Sequence, residues 1–102
     1  IQSARRASSC ILADADDTAA WAVADSAIAI TYAEISAHAM GLGSCWGGLV
    51  TRAARTNPDI SRYLGLPEGH SVTGALFLGF PAVVFHRLPP REEPDIRIVT
   101  GK

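Results

Sequence analysis

The chain has 102 residues, and 48% of them are hydrophobic, which is enough apolar material for the core of one domain. Nine basic and ten acidic residues give a net charge of −1, which argues against nucleic acid or an anionic membrane surface as a partner. The two cysteines, Cys10 and Cys45, are too few for a zinc site or an iron–sulfur cluster, so we expect no metal and a reduced, cytoplasmic protein. Acidic residues, glycine or proline interrupt the longest apolar stretches, so we also expect no membrane span.

The N-terminal part of the chain predicts a strand followed by one long helix. Residues 1–7 show no periodic pattern and are expected to be irregular, whereas residues 8–13 form a short apolar run typical of a buried strand. Residues 18–40 are rich in alanine and contain no glycine or proline, which predicts a helix of about six turns. We expect Asp16 or Asp17 to cap the first free N–H groups of this helix.

The polar residues of this helix form two narrow stripes instead of one broad face. At about 100° per residue, one stripe contains Thr18, Asp25 and Ser36, and the opposite stripe contains Thr31, Glu34 and His38. A helix with a single solvent-exposed side has one wide polar arc, so this pattern predicts a helix that packs on both sides. One of those sides then belongs to another chain or to a segment outside this sequence. The alternative is a central helix surrounded by its own short domain.

Four glycines lie among the eight residues 41–48, directly after the predicted helix. Because glycine has no Cβ, a flat ligand can approach its backbone N–H closely, and the segment would then form the floor of a cofactor site. The alternative is a helix C-cap followed by a strand, and the spacing alone favours this second interpretation.

Two short helices are predicted next. Residues 50–55 are consistent with the start of one helix, and Asn57 followed by Pro58 predicts the capped first turn of another, which ends at Gly65.

A strand and an extended tail complete the chain. Residues 71–80 have the composition of a strand, in which Gly74 and Gly79 suggest a bulge or the close approach of another backbone. From Pro81 onward, repeated prolines favour an extended conformation.

Few side chains match a catalytic or metal-binding pattern. Glu34 and His38 are four residues apart on the predicted helix, but no third ligand has suitable spacing, which favours a solvated pair over a metal site. The residues around Ser44 lack the glycine spacing of a hydrolase nucleophile elbow, and the glycines do not match the dinucleotide-binding fingerprint.

Arg87 and Arg91 flank a segment that two prolines stiffen. Guanidinium groups held in this way can bind phosphate oxygens bidentately at a low entropic cost. The residues alone support equally a solvated basic turn in which the arginines pair with Glu92 and Glu93.

Taken in order, residues 21–29, 41–46, 64–70, 74–81 and 87–91 resemble the nitroreductase family of FMN-dependent oxidoreductases. The resemblance extends from about Ser8 to Val99 and is greatest to members that carry an N-terminal ferredoxin-like domain. It implies an α+β fold with a small β-sheet and a long central helix at a homodimer interface. The chain would be the C-terminal half of such a domain, with residues 8–80 as its core and residues 81–102 as an extended C-terminal tail.

The resemblance also implies an FMN site formed by residues of both subunits. Contacts beside the flavin ring would come from Trp46, Gly47, Gly48 and Leu49, and Arg87 and Arg91 would bind the FMN phosphate. No side chain needs to act as an acid or a base, so no catalytic residue is assigned.

The implied function is electron transfer from NAD(P)H or a ferredoxin-type donor, through FMN, to a nitroaromatic or quinone-like acceptor. Because a partial domain can lack part of its flavin pocket, the alternative is a non-catalytic dimerisation fragment without a complete flavin site.

Overall fold

A computed structural model describes residues 7–101, which form three strands and three helices. In chain order these are β1 (Ser9–Asp16), α1 (Ala22–Ala39), β2 (Gly43–Trp46), α2 (Gly48–Thr56), α3 (Pro58–Leu64) and β3 (His70–Gly79). Residues 80–101 contain no helix or strand. The irregular segment expected at residues 1–7 lies, apart from Ala7, outside the described residues. No helix in the described part is long and apolar enough to cross a bilayer.

The sheet is antiparallel, with β3 between β1 and β2. Because β3 is paired on both sides, it supplies Val72, Ala75 and Leu76 to the core, each with at most 1% of its surface exposed. The remaining buried apolar residues are Ile30, Ala37 and Ala54 on the helices. The α+β architecture predicted from the sequence is therefore confirmed.

Helices α1 and α2 pack against opposite faces of the sheet. The side chain of Ile30 on α1 occupies the space that a Cβ on Gly74 would need. Gly47, at the start of α2, lies instead against Ala75 and Phe77. Since neighbouring residues of a strand point to opposite faces, these contacts place the two helices on either side of β3.

Helix α1 begins at Ala22 instead of Thr18, and the predicted cap by Asp16 or Asp17 is wrong. The Asp16 carboxylate accepts hydrogen bonds from the N–H and the hydroxyl of Thr18, at 2.8 and 2.7 Å, which closes a turn before the helix. The N–H of Asp17 donates to the Gly69 carbonyl at 2.7 Å and so extends the β1–β3 pairing. Because the two aspartates form these bonds in the turn and the sheet, neither of them caps α1. Trp21 occupies the N-cap position, and its side chain forms no capping hydrogen bond.

Strand β1 is longer and more exposed than the buried strand predicted for residues 8–13. It is an edge strand, and its first three residues, Ser9 to Ile11, are exposed. Opposite it, Ala13 pairs with Gly74 and Asp14 with Val72, so Thr73 forms a bulge on β3. The expected bulge thus lies beside Gly74. The close approach at Gly74 comes from the side chain of Ile30 and not from another backbone.

The outer side of α1 carries large apolar side chains in contact with solvent. Ile28, Tyr32 and Ile35 are each 57–70% exposed in this single chain. The described chain therefore leaves uncovered one of the two apolar sides predicted for this helix.

Two sequence signals set the short helices. The Asn57 side chain accepts a hydrogen bond from the Asp59 N–H at 3.0 Å, and Pro58 occupies the first turn of α3, as predicted. Gly65 ends α3 with a φ of 69°. Helix α2 begins two residues before the predicted start, at Gly48, with Gly47 as its N-cap.

Candidate functional site

The glycine-rich segment ends α1 and then continues into a strand. Gly41 has a φ of 80° and ends α1, where the Leu42 N–H donates to the Ala37 carbonyl at 2.9 Å. Strand β2 follows and leads to Gly47 and Gly48 at the start of α2. The C-cap interpretation is therefore correct for Gly41, and only the second pair of glycines can form a platform for a ligand.

Gly47 is a packing residue. Its N–H donates to the Ala75 carbonyl at 2.8 Å, so this N–H is not available to a ligand. A Cβ at this position would lie 2.9 Å from Cε2 of Phe77 and 3.1 Å from the Cβ of Ala75. The glycine thus lets the backbone approach β3 closely and directs the chain into α2.

Gly48 and Leu49 carry free backbone N–H groups, which we call the free amide pair. They occupy the first turn of α2, where no carbonyl precedes them in the helix, and within residues 7–101 no other group accepts their hydrogen bonds. A Cβ at Gly48 would meet no atom within 4 Å. The Cβ side of Gly48 is therefore open, and the free amide pair lies at the positive end of the helix dipole.

Apolar side chains lie on either side of the free amide pair. Trp46 is the last residue of β2 and is 43% exposed, and Leu49 is 71% exposed. Aromatic and aliphatic surface with a few convergent N–H donors is typical of sites for flat organic cofactors. The four predicted ring-contacting residues are consecutive in the chain, and the structure uses the N–H of one of them, Gly47, within the sheet.

Arg87 and Arg91 lie outside the helices and strands that form this site. Both are exposed and belong to the segment without helix or strand. Within residues 7–101 neither forms an ion pair, so the pairing with Glu92 and Glu93 that the alternative interpretation suggested is not observed there. Within residues 7–101, no hydrogen bond connects either arginine to the free amide pair.

A cavity of about 320 Å³ lies at the other end of β2. It is lined mainly by Gly43, Cys45 and Phe77, together with residues 80–83 and Phe85. None of the six predicted site residues lines this cavity. The cavity is therefore distinct from the candidate flavin site.

Polar side chains near the end of β1 form hydrogen bonds with the start of β3. His70 Nδ1 lies 2.9 Å from Asp14 Oδ1, and the Ser71 hydroxyl donates to the Asp17 carboxylate at 2.5 Å. The hydrogen bonds from Thr18 lower the pKa of the Asp16 carboxyl below its ordinary value. These contacts hold β1 to β3.

No metal site is found among the described residues, where no group of three His, Cys, Asp or Glu side chains has suitable geometry. Glu34 is half-buried and His38 is exposed on α1. The two cysteines are free thiols that both face Phe77 across the sheet, and partial burial raises the pKa of Cys10.

Two arginines on α2, Arg52 and Arg55, were not assigned a role from the sequence. Both are exposed and follow Gly48 at helical spacings of four and seven residues. This spacing was visible in the sequence, but it places the arginines on the same side of a helix as Gly48 only if α2 begins at Gly48.

The fold and the free amide pair together define an α+β domain whose exposed backbone donors suit a flat cofactor. The family model described as "Nitroreductase family" matches residues 2–80, and the chain belongs to this family. A crystal structure of a nitroreductase with bound FMN from Bacteroides fragilis NCTC 9343, at 1.70 Å resolution, is similar to the chain with a TM-score of 0.80 and 26% sequence identity. The similarity covers 96% of this chain and 54% of that one, so the chain spans about half the length of its solved relative. No curated protein matches the chain.

Proposed function

We propose that the chain forms part of an FMN-dependent oxidoreductase of the nitroreductase type. It would pass electrons from NAD(P)H or a ferredoxin-type donor to a nitroaromatic or quinone-like acceptor. The observation that carries this proposal is the free amide pair of Gly48 and Leu49, which is open to a ligand in a chain of the nitroreductase family. The FMN bound to the similar solved structure supports the choice of cofactor.

The residues at the start of α2 fit one edge of a flavin ring. Gly48 and Leu49 would donate their N–H groups to heteroatoms at that edge, and Trp46 and Leu49 would contact it with apolar surface. Gly47 would contribute by its close packing on Phe77 and not by a hydrogen bond. Bound FMN supplies the two-electron chemistry, and the N–H donors at the positive helix end favour negative charge placed beside them.

Arg87 and Arg91 would bind the FMN phosphate. Neither has an ion-pair partner within residues 7–101, and the prolines between them restrict the backbone. Nearby side chains on the same segment, among them Phe80, Val84 and Phe85, are at least 84% exposed. We propose that this apolar segment is covered in the assembled protein, which would fix the position of the two arginines relative to the free amide pair.

We propose a homodimer whose interface includes the outer side of α1. Ile28, Tyr32 and Ile35 lie at spacings of three and four residues on this side and are largely exposed. An apolar helix face of this kind is unfavourable in water and is typical of an interface.

The free thiols of Cys10 and Cys45 support the cytoplasmic location proposed from composition.

No residue is assigned as a general acid or base. Trp46, Gly47, Gly48 and Leu49 have no ionisable side chain, so their proposed role is to position the ligand and to exclude water. The electron acceptor would bind against the exposed face of the cofactor.

The second candidate is a dimerisation fragment that binds no flavin. It is favoured by the absence, within residues 7–101, of a hydrogen bond between either Arg87 or Arg91 and the free amide pair, and by the 54% coverage of the solved relative. The two functions differ in one property, which is whether the protein retains FMN.

The test is to mix the purified protein with FMN, remove free FMN by gel filtration and record a visible absorption spectrum. The proposed function predicts one FMN per subunit and its reduction by NAD(P)H or a ferredoxin-type donor, followed by reoxidation with a nitroaromatic or a quinone. A colourless protein that remains dimeric would favour the dimerisation fragment instead.

A further inference from the structure

Arg52 and Arg55 lie along the same side of α2 as the free amide pair. At about 100° per residue, Arg52 is rotated by about 40° from Gly48, and Arg55 by about 20° in the opposite sense. The core side of the helix is marked by Ala54, which is 3% exposed and points well away from this line. Gly48 and the two arginines therefore form one outward-facing stripe.

Both guanidinium groups are available to an anion. Neither Arg52 nor Arg55 forms an ion pair within residues 7–101, whereas Arg62 on α3 pairs with Asp59 at 3.0 Å. Side chains of a helix tilt toward its N-terminus, so those of Arg52 and Arg55 are directed toward Gly48. The absence of a Cβ at Gly48 leaves this approach open.

The spacing along the helix matches a ligand larger than a flavin ring. At a rise of 1.5 Å per residue, the Cα atom of Arg52 lies about 6 Å and that of Arg55 about 10 Å from the Cα atom of Gly48 along the helix axis. A reduced nicotinamide dinucleotide carries its diphosphate one ribose away from the nicotinamide ring. We propose that Arg52 and Arg55 bind the diphosphate of this electron donor while its nicotinamide ring lies against the cofactor at the free amide pair.

This inference rests on the proposed function and assigns the donor's binding residues. A phosphate near α2 could come from the dinucleotide or from FMN itself. The proposed function already assigns the FMN phosphate to Arg87 and Arg91, which leaves the diphosphate of the dinucleotide as the anion for α2. Arg52 and Arg55 are exposed, and within residues 7–101 neither side chain forms a hydrogen bond or an ion pair.

The test compares two hydride donors in the FMN-loaded natural polypeptide with a quinone acceptor. NADPH carries the diphosphate, and reduced N-benzylnicotinamide carries the same reactive ring without any phosphate. In the double variant Arg52→Gln, Arg55→Gln, we expect kcat/KM for NADPH to fall about tenfold or more relative to kcat/KM for the benzyl compound. The matched control is Arg62→Gln, which removes a charge from the neighbouring helix and should leave this ratio unchanged.

Four further measurements make the outcome specific. The charge-conserving variant Arg52→Lys, Arg55→Lys should recover part of the loss, and added salt should raise the wild-type KM for NADPH more than that of the double variant. Calorimetric titration with ADP, compared with adenosine, should show weaker binding of ADP alone in the double variant. The Kd for FMN should not change, since a weaker FMN complex would assign the arginines to the FMN phosphate.

An unchanged donor ratio in a variant that retains FMN would overturn this inference and leave the proposed function intact. The same holds if the wild-type enzyme oxidises the benzyl compound but neither NADH nor NADPH. Failure of the wild-type protein to bind FMN would overturn the proposed function and this inference together.

Discussion

Replacing Gly48 with valine tests the free amide pair without disturbing the core. A Cβ at Gly48 would meet no atom within 4 Å, and the backbone conformation there is helical. Valine is a slightly better helix residue than glycine, so the free energy of unfolding should change by less than about 1 kcal/mol. The added branched side chain would, however, occupy the space in which a flavin ring approaches the N–H groups of Gly48 and Leu49.

The expected loss of affinity follows from the two hydrogen bonds. Each contributes about 0.5–1.5 kcal/mol, so losing both raises the free energy of the FMN complex by about 1–3 kcal/mol. Because 1.4 kcal/mol corresponds to a factor of ten, the Kd for FMN should rise by about 5- to 150-fold. Steric exclusion of the ring adds to this loss.

The assay is a titration of FMN fluorescence with the natural polypeptide, combined with urea denaturation of the FMN-free form. The matched control is Ala53→Val, which introduces the same side chain at an exposed position of α2, away from the Gly48 side. The control should retain the wild-type Kd. Wild-type FMN affinity in a folded Gly48→Val variant would refute the assignment of the free amide pair.

Four other variants test the packing of Gly47, the phosphate-binding arginines, the dimer interface and the pH dependence of stability. Gly47→Ala should destabilise the fold by about 1–3 kcal/mol in urea denaturation, because its Cβ would overlap side chains of β3; a wild-type midpoint would contradict this packing role. Arg87→Ala combined with Arg91→Ala should weaken FMN binding by about 1.5–3 kcal/mol per arginine and leave the affinity for riboflavin, which has no phosphate, unchanged. Equal losses of affinity for both ligands would contradict the assignment of the two arginines to the phosphate. Ile28→Glu should convert a dimer to a monomer in sedimentation experiments, since it places a charge in an apolar interface, and an unaltered species would exclude this side of α1. The folded pKa of Asp16 lies below its ordinary value of 3.8, so its stabilisation is complete above that pH and is lost as pH falls through the folded pKa. Asp16→Asn should therefore reduce the acid-induced loss of stability in urea denaturation, and identical profiles for the variant and the wild type would argue against this effect.

The sequence predicted those features that depend on local chemistry. Asn57, Pro58 and Gly65 mark the ends of α3 by capping and backbone rules that act within a few residues. The alanine-rich helix and the strand at residues 71–80 were also found from composition, with ends that moved by one to four residues. The two apolar sides of α1 were predicted from periodicity, and the described chain covers only one of them.

Features that depend on contacts between distant residues could not be predicted. Asp16 and Asp17 looked like helix caps, but their positions beside β3 assign them to a turn and to the sheet. Gly47 and Gly48 are indistinguishable in sequence. Only the position of β3 shows that the first is buried with its N–H bonded and the second is open. The placement of Arg87 and Arg91 relative to the free amide pair depends on what covers the C-terminal segment, and local sequence does not specify this.

A crystal structure of the protein with bound FMN would show whether the free amide pair contacts the flavin. We expect a flavin heteroatom about 2.7–3.2 Å from the backbone nitrogen of Gly48 or Leu49, with the Gly47 N–H still bonded to the Ala75 carbonyl. A flavin ring bound elsewhere, with these two N–H groups facing solvent, would contradict it.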